Sequence, residues 1–277
     1  MRPVGLRTFF SFAVGITFML MLSACETVQT TQGGLVGIDR QQRMAVSSQE
    51  LDQTAARQYA ALITGQKQKN TVNQNPAQVA RVRTIANRLI AQTPVFRPDA
   101  QRWQWEVNVL TSSEVNAWCM PGGKIAVYSG LIEKLQVTDD ELAAVIGHEI
   151  SHALREHARE RASEQLVAGS VISIGSALLG VGGLGQQGAE YAYMGLVGLP
   201  NSRSHETEAD RMGVELTARA AYDPRAAVTL WQKMAQAGGS ERPAFLSTHP
   251  SSSDRISDLN VYAQRVMPLY LQAKSRR

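Results

Sequence analysis

Helical periodicity dominates the pattern of apolar and polar residues along this chain. Apolar residues recur at three- and four-residue spacing in two early stretches, residues 49–66 and 76–92. The strongest helix signal begins at Thr138, because Thr138-Asp139-Asp140-Glu141 has the Ser/Thr-x-x-Glu form of a capping box and an apolar face follows it. Three more helices are predicted towards the carboxyl terminus: residues 204–221, the stretch from there to about residue 237, and residues 254–274.

Two shorter regions have the pattern of β-strands. Residues 103–110 alternate between apolar and polar side chains, which predicts a half-buried strand. Residues 116–121, the pair Gly122-Gly123 and residues 124–129 predict an extended segment, a turn and a second strand. The chain is therefore predicted to hold an α+β domain, mainly helical with a small β-sheet, that spans residues 49–277.

The composition is that of a globular protein with a substantial core. Of the 277 residues, 44% are hydrophobic and 19% are charged, and glycine and proline are present at ordinary levels. These values exclude collagen-like and low-complexity chains. Removal of Arg2 and Arg7 with a leader peptide leaves 26 basic against 24 acidic residues, a net charge of +2. Such a small charge argues against a nucleic-acid partner.

The first 25 residues have the pattern of a bacterial lipoprotein leader. Two arginines precede an uncharged run of 15 residues, 8–22, which is shorter than the roughly 20 residues that a membrane-spanning helix needs. The run ends in Leu22-Ser23-Ala24-Cys25, which resembles the lipobox, in which the cysteine is lipidated after cleavage. We therefore predict a signal peptide over residues 1–24; an ordinary signal peptide with an incidental Cys25 is the alternative.

Lipidation would anchor the protein to a membrane without spanning it. Glu26 follows the cysteine where an Asp resembles the inner-membrane retention signal of enteric bacteria, so we expect the periplasmic face of the outer membrane. The rule differs between organisms, and inner-membrane anchoring stays open. Residues 25–48 are polar, without a period, and are predicted to form a tether. With Cys25 lipidated, Cys119 is the remaining cysteine and is expected to be a buried, inert thiol.

An uncharged, glycine-rich stretch over residues 166–185 is the least regular part of the pattern. Six of its twenty residues are glycine, and each glycine weakens a helix by about 1 kcal/mol relative to alanine. The stretch predicts a mobile apolar lid or a membrane-touching loop that extends over about residues 166–199. A buried helical hairpin is the alternative.

The motif His148-Glu149-Ile150-Ser151-His152 carries the clearest chemical signal. On a helix the two histidines are one turn plus about 40° apart, so both rings reach one side and can bind one zinc ion. The glutamate between them lies beside the water that such a metal activates and can act as a general base. The predicted helix after Thr138 provides the setting that this geometry needs.

A catalytic zinc needs a third protein ligand, and the best candidate lies 54 residues beyond His152. Glu206 and Asp210 are four residues apart on a predicted helix, so Glu206 could bind the metal while Asp210 accepts a hydrogen bond from a ligand histidine. Glu208 is expected to face elsewhere, and His205 is a weaker competitor for the ligand role. His157 stands five residues past His152 and is predicted to lie on the surface.

Three motifs together resemble the gluzincin peptidases of the CaaX-prenyl-protease type: H-E-I-S-H, E-T-E-A-D-R-M-G and, before them, N-A-W-C-M-P-G-G. The layout is most similar to the periplasmic lipoprotein branch of that family. The resemblance implies a zincin-like metallopeptidase domain with the H-E-x-x-H motif on a long helix. It also implies one Zn²⁺ per chain, bound by His148, His152 and Glu206, with Glu149 as base and Asp210 supporting the site.

The same resemblance implies where the substrate binds and what it is. Residues 116–123, including Asn116, Ala117, Gly122 and Gly123, would form an edge strand that pairs with the substrate backbone. The implied activity is a zinc-dependent endopeptidase that degrades unfolded or misassembled cell-envelope proteins.

His249 allows several interpretations, and one of them leads to a rival function. In Ser247-Thr248-His249-Pro250 it could be a fourth, inhibitory zinc ligand, a proton donor to the tetrahedral intermediate, or a structural residue. Structural zinc sites are closed by four protein ligands. The rival is therefore a chaperone or assembly factor for outer-membrane proteins, with a latent or closed zinc site. An intact Glu149 argues against that rival, because a structural site needs no base.

Overall fold

The computed structural model of the chain describes residues 26–178, 201–237, 243–250 and 253–276. The described residues are mainly helical with small β-sheets, as the sequence predicts. The strands are β1 (Glu26–Val28), β2 (Gln42–Met44), β3 (Glu106–Leu110), β4 (Ala117–Met120) and β5 (Lys124–Tyr128). The helices are α1 (Ser48–Gln68), α2 (Pro76–Ile90), α3 (Ser129–Leu135), α4 (Asp139–Leu154), α5 (His157–Leu178), α6 (Arg203–Arg219), α7 (Ala226–Gln236), α8 (Phe245–Thr248) and α9 (Ser253–Ser275).

Strands β3, β5 and β4 form a three-stranded sheet in that spatial order. Strand β5 is parallel to β3 and antiparallel to β4, so β4 lies at one edge. Apolar residues of α1 pack on one face of the sheet, and those of α2 and α4 pack on the other. The prediction of a half-buried strand over residues 103–110 is therefore wrong for residues 107–110, which are buried on both faces.

Helix α4 runs through the core and is buried along almost its whole length. Its capping box is confirmed: Thr138 Oγ1 accepts from the Glu141 amide at 3.2 Å, and Glu141 Oε2 accepts from the Thr138 amide at 2.8 Å. Helix α6 crosses α4 so closely that a Cβ on Gly213 would lie 2.8 Å from the backbone nitrogen of His148. The close crossing brings the motif of α4 next to the carboxylates of α6.

The segment that precedes α1 is folded against the rest of the domain. Strands β1 and β2 form an antiparallel pair, and Val36, Ile38 and Met44 are buried. Gln42 is fully buried and donates to the Arg155 carbonyl at 2.8 Å and to Glu160 at 2.6 Å. This packing differs from the tether predicted for residues 25–48, because buried apolar residues and Gln42 attach the segment to α5 and to the residue that follows α4.

Helix α5 extends to Leu178 and so includes the first part of the predicted lid. Residues 166–178 are helical, and the side chains of Leu166 and Val167 are exposed. The rest of the predicted lid, residues 179–199, lies outside the described residues, as do the predicted signal peptide and Cys25. Among the helices that the structure describes, none is both long and apolar enough to cross a membrane.

Candidate metal centre

Helices α4 and α6 bring the three predicted zinc ligands together. His148 Nε2 and His152 Nε2 lie 3.0 Å apart on α4. Glu206 on α6 places one carboxylate oxygen 3.6 Å from His148 Nε2 and the other 3.4 Å from His152 Nε2. All three side chains are buried. The i,i+4 spacing and the close helix crossing together produce this convergence.

The chemistry of this donor set fits a zinc ion. The Nδ1 atom of His148 lies 3.0 Å from Asp210 Oδ1, and Arg255 Nη2, which can only donate, lies 3.5 Å from His148 Nε2, so the lone pair of this ring is on Nε2. Glu206 Oε1 is buried and accepts no hydrogen bond from any described residue. Lone pairs and a carboxylate oxygen that face one another in a buried space favour a cation between them. Imidazole and carboxylate ligands of this kind are those that zinc prefers.

A buried arginine holds the carboxylate behind His148. Arg255 on α9 donates through Nε and Nη2 to Asp210 at 2.5 and 2.8 Å, and its Nη1 lies 2.6 Å from Glu206. Its guanidinium also stacks on Trp231 at 3.6 Å. Burial alone would raise the pKa of Asp210, but Arg255 and His148 outweigh burial and lower it to about 2. Asp210 therefore lies between Arg255 and His148 and contacts both.

Glu149 points into the same space from the next position of α4. Burial, with the nearby charge of Glu206, raises the pKa of Glu149 well above its usual value, although Arg255 opposes the shift. Its Oε1 accepts no hydrogen bond from the described residues. A raised pKa makes a carboxylate a stronger base, so it takes up a proton more readily during a reaction and can then pass it on. Glu149 is therefore suited to act as a general base and then as an acid.

His249 enters the site from the segment after α8. One ligand atom each from His148, His152, Glu206 and His249 lie within 4.8 Å of one another. His249 Nδ1 lies 3.1 Å from the Phe245 carbonyl, which can only accept, so Nδ1 carries the proton. The lone pair of Nε2 then faces Glu149, at 3.4 Å from its Oε1. The structure therefore brings a fourth potential ligand to the predicted three.

A cleft runs from the candidate ligands to strand β4. Its walls include Asn116, Ala117, Cys119, Glu149, His152, Arg161 and His249. Within the described residues β4 pairs with β5 alone, so its other side borders the cleft. Gly122 and Gly123 have φ of +75° and +82° in the turn that follows β4. The predicted edge strand thus lies beside the candidate metal centre.

Cys119 is half-buried in this strand, and burial raises the pKa of its thiol.

The position of His157 contradicts the surface location predicted for it. Its side chain is fully buried, with Nδ1 2.8 Å from His152 Nδ1 and Nε2 3.0 Å from Glu208. The reason is the backbone at Glu156, whose φ of +52° ends α4 and starts α5 in a new direction. Counting residues along one continuous helix therefore gives the wrong side for His157. No glycine or proline marks this break in the sequence.

His205 and Glu208 face away from the three candidate ligands. His205 Nε2 lies 3.0 Å from Glu160, and Glu208 binds Arg155 and Arg40. The expectation that Glu208 faces away from Glu206 agrees with these contacts. Together His157, Glu160 and His205 form a second buried group whose ligand atoms lie within 4.8 Å of one another.

Comparison with known sequences shows which protein family the chain matches. The model of the family described as "Peptidase family M48" matches residues 76–263. The mitochondrial metalloendopeptidase OMA1 of Arabidopsis thaliana is 35% identical over 188 residues, 62% of this chain and 35% of that protein. Its namesake in Schizosaccharomyces pombe is 38% identical over 155 residues, 55% of this chain and 45% of that protein. The Beta-barrel assembly-enhancing protease of Yersinia pestis is 29% identical over 206 residues, 70% of this chain and 40% of that protein.

The matched parts cover less than half of the length of each of these relatives. The family match itself covers more than half of this chain and contains every residue of the candidate centre, from His148 to Arg255. The chain therefore belongs to peptidase family M48.

Proposed function

We propose that this protein is a zinc-dependent endopeptidase with one Zn²⁺ per chain. The observation that carries the proposal is the convergence of His148 Nε2, His152 Nε2 and the Glu206 carboxylate, within 3.6 Å of one another, beside a buried Glu149. Three protein ligands with space for water are typical of catalytic zinc sites. Membership of a peptidase family supports the same activity.

Each residue around the centre has a separate role in the proposed peptide hydrolysis. When bound, zinc acidifies a coordinated water and polarises a carbonyl group. Glu149 takes the proton of the attacking water and passes it to the leaving amine as the C–N bond breaks. Asp210, held by Arg255, keeps the Nδ1 proton of His148 in place. The free side of β4 binds the substrate backbone as an added strand.

The proposed substrates are unfolded or misassembled cell-envelope proteins, and the proposed location is the periplasmic face of the outer membrane. The lipobox at Cys25 supports lipid anchoring. The name Beta-barrel assembly-enhancing protease, carried by a relative, supports an envelope role. Other relatives are named as mitochondrial enzymes, so the compartment rests on the leader sequence. We place the chain in the periplasmic lipoprotein branch of its family on the same ground.

A second function follows from His249. If its Nε2 binds the metal together with His148, His152 and Glu206, the site has four protein ligands and is closed. A protein in that state would hold outer-membrane proteins as a chaperone or assembly factor rather than cleave them. The tautomer of His249, with its lone pair towards the site, favours this possibility as a latent state of the peptidase.

Degradation of unfolded casein by the purified full-length chain tests the proposed activity. We expect cleavage that stops when a chelator removes the metal and returns when zinc is added. Zinc content is measured on the same protein by mass spectrometry. One zinc per chain without cleavage would favour the closed site, and absence of both zinc and cleavage would contradict the proposed function.

A further inference from the structure

The two candidate zinc-binding histidines have different partners behind them. His148 Nδ1 lies beside a carboxylate, Asp210, at 3.0 Å. His152 Nδ1 lies instead beside another histidine, His157, at 2.8 Å. His157 is fully buried and its ring packs at 70° to that of His152, with 4.9 Å between centroids. The second ligand is therefore supported by an imidazole where the first is supported by a carboxylate.

A carboxylate stands behind His157 and is held by two arginines. Glu208 Oε2 lies 3.0 Å from His157 Nε2 and accepts from Arg155 Nε at the same distance. Glu208 Oε1 accepts from Arg40 Nε at 2.6 Å. Arg155 is fully buried, and Arg40 belongs to the segment between β1 and β2. Glu208 thus has a fixed position and accepts hydrogen bonds at both oxygens.

These contacts determine which ring nitrogen of each histidine carries the proton. Glu208 accepts from its arginines, so His157 donates to it through Nε2–H. A neutral imidazole has one donor and one acceptor, so His157 Nδ1 accepts, and His152 donates to it through Nδ1–H. The lone pair of His152 then lies on Nε2, which faces Glu206 and His148.

We propose that His157 is a positioning residue for the zinc ligand His152: its Nδ1 fixes the tautomer and the ring orientation of His152, and Glu208, held by Arg155 and Arg40, fixes His157. The inference rests on the proposed zinc site. Partners of this kind raise the affinity of a metal site, and their removal typically weakens it about 10- to 100-fold. Because Arg40 belongs to the amino-terminal segment, that segment supports the metal centre.

A second metal ion bound by His157, Glu160 and His205 is the competing interpretation. Both ring nitrogens of His157 already have partners. Glu160 accepts from Arg40 at 2.6 and 2.9 Å and from Gln42 at 2.6 Å. A divalent cation would have to displace these bonds close to the positive charges of two arginines. The contacts therefore favour positioning over a second metal, and the metal count of the variants decides between them.

Zinc affinity of three full-length variants, measured by competition with a chromophoric chelator, tests the proposal. His157→Phe keeps the volume and removes the acceptor, and we expect zinc affinity to fall 10- to 100-fold. In His157→Asn the amide oxygen can stand near the former Nδ1 and accept from His152, so we expect affinity closer to wild type. His205→Gln is the matched control, because His205 stacks on His157 but its Nε2 binds Glu160 rather than His152, and we expect unchanged affinity.

Thermal unfolding of each metal-free variant separates a metal effect from damage to the fold. A His157→Phe variant that folds and binds zinc as tightly as wild type would overturn the proposal, as would equal losses in His157→Phe and His157→Asn. Two zinc ions per wild-type chain, with one lost in both His157→Phe and His205→Gln, would identify a second metal site instead. If wild type binds no zinc, the proposed function is contradicted. The positioning role of His157 is then tested by the histidine tautomers alone.

The tautomers can be read in the wild-type chain even if the variants do not fold. With ¹⁵N-labelled histidine, long-range ¹H–¹⁵N spectra distinguish protonated from unprotonated ring nitrogens. We expect His157 to be protonated at Nε2 alone and His152 at Nδ1. The opposite tautomer at His157, protonated at Nδ1, would overturn the proposal directly.

Discussion

Glu149 and His249 face each other across the cleft, with 3.4 Å between Oε1 of the carboxylate and Nε2 of the imidazole. The proposed base is therefore next to the residue that can close the metal site. His249 is held in this position by its stack on Phe245, with 4.1 Å between ring centroids, and by the Phe245 carbonyl. The side chain of His249 would therefore bear on both the proposed catalysis and the proposed latent state.

Substitution of His249 by alanine is expected to raise proteolysis. If the closed state holds about nine-tenths of the molecules, removal of the fourth ligand raises the cleavage rate about tenfold. Initial rates of casein cleavage, at equal zinc content, measure the change. Ser247→Ala is the control, because Ser247 is exposed in the same segment. Unchanged or lower activity in His249→Ala would rule out an inhibitory role.

Arg255→Gln is expected to destabilise the protein far more than Arg211→Gln. Both arginines join α6 to α9 through bidentate pairs, Arg255 with Asp210 and Arg211 with Asp258. The first pair is buried, and removal of one partner of a buried pair costs about 3–5 kcal/mol. The second is partly exposed, and its loss costs up to about 1 kcal/mol. Urea denaturation of the metal-free proteins measures the loss of unfolding free energy in each variant. Equal losses in Arg255→Gln and Arg211→Gln would contradict the expectation.

Gly213→Ala is expected to separate α6 from α4. The added Cβ would lie 2.8 Å from the His148 backbone nitrogen, and overpacking of this kind costs about 1–3 kcal/mol. Zinc affinity should fall as well, because Glu206 moves with α6. Gly65→Ala on α1 is the control: its Cβ meets no atom within 4 Å, so helix propensity should stabilise it by about 0.5–1 kcal/mol. A Gly213→Ala variant that is more stable than wild type would contradict this, because it would show that the Cβ fits between α6 and α4.

Acid is expected to destabilise the protein partly through Glu160. Burial alone would raise the pKa of Glu160, but hydrogen bonds from Arg40, His205 and Gln42 hold it far below its usual value. A carboxylate with a lowered folded-state pKa stabilises the protein above the unfolded value of 4.5, and this contribution is lost as pH falls below it. Unfolding free energies of metal-free protein at pH 5 and pH 3 should therefore fall less in Glu160→Gln than in wild type. An equal decrease in unfolding free energy in both proteins would show that Glu160 does not contribute to the loss of stability in acid.

Local patterns in the sequence were enough to predict the helix that carries the motif and the residues that meet there. Thr138 and Glu141 mark the start of α4 through a capping box that involves neighbouring residues alone. The four-residue spacing of Glu206 and Asp210 places both on the side of α6 that faces His148. Each of these interpretations depends on helix geometry among a few neighbouring residues. The ligands that zinc prefers then connect the two helices.

The supporting contacts could not be predicted in this way, because they join distant parts of the chain. Arg40 and Glu208 are separated by 168 positions, and no local period relates them. The prediction of a surface position for His157 is wrong because the left-handed backbone at Glu156 changes the helix direction without a glycine or proline. The alternating pattern of strand β3 predicts half-burial because it does not reveal that helices cover both faces of the sheet.

Glu149→Gln tests the central claim most directly, since it keeps the size of the side chain and removes the proposed base. We expect the full-length variant to bind one zinc per chain, as wild type does, and to cleave casein about 10²- to 10⁴-fold more slowly, the usual contribution of general acid–base catalysis. Cleavage at the wild-type rate by the zinc-loaded variant would contradict the account, because peptide hydrolysis would then proceed without Glu149.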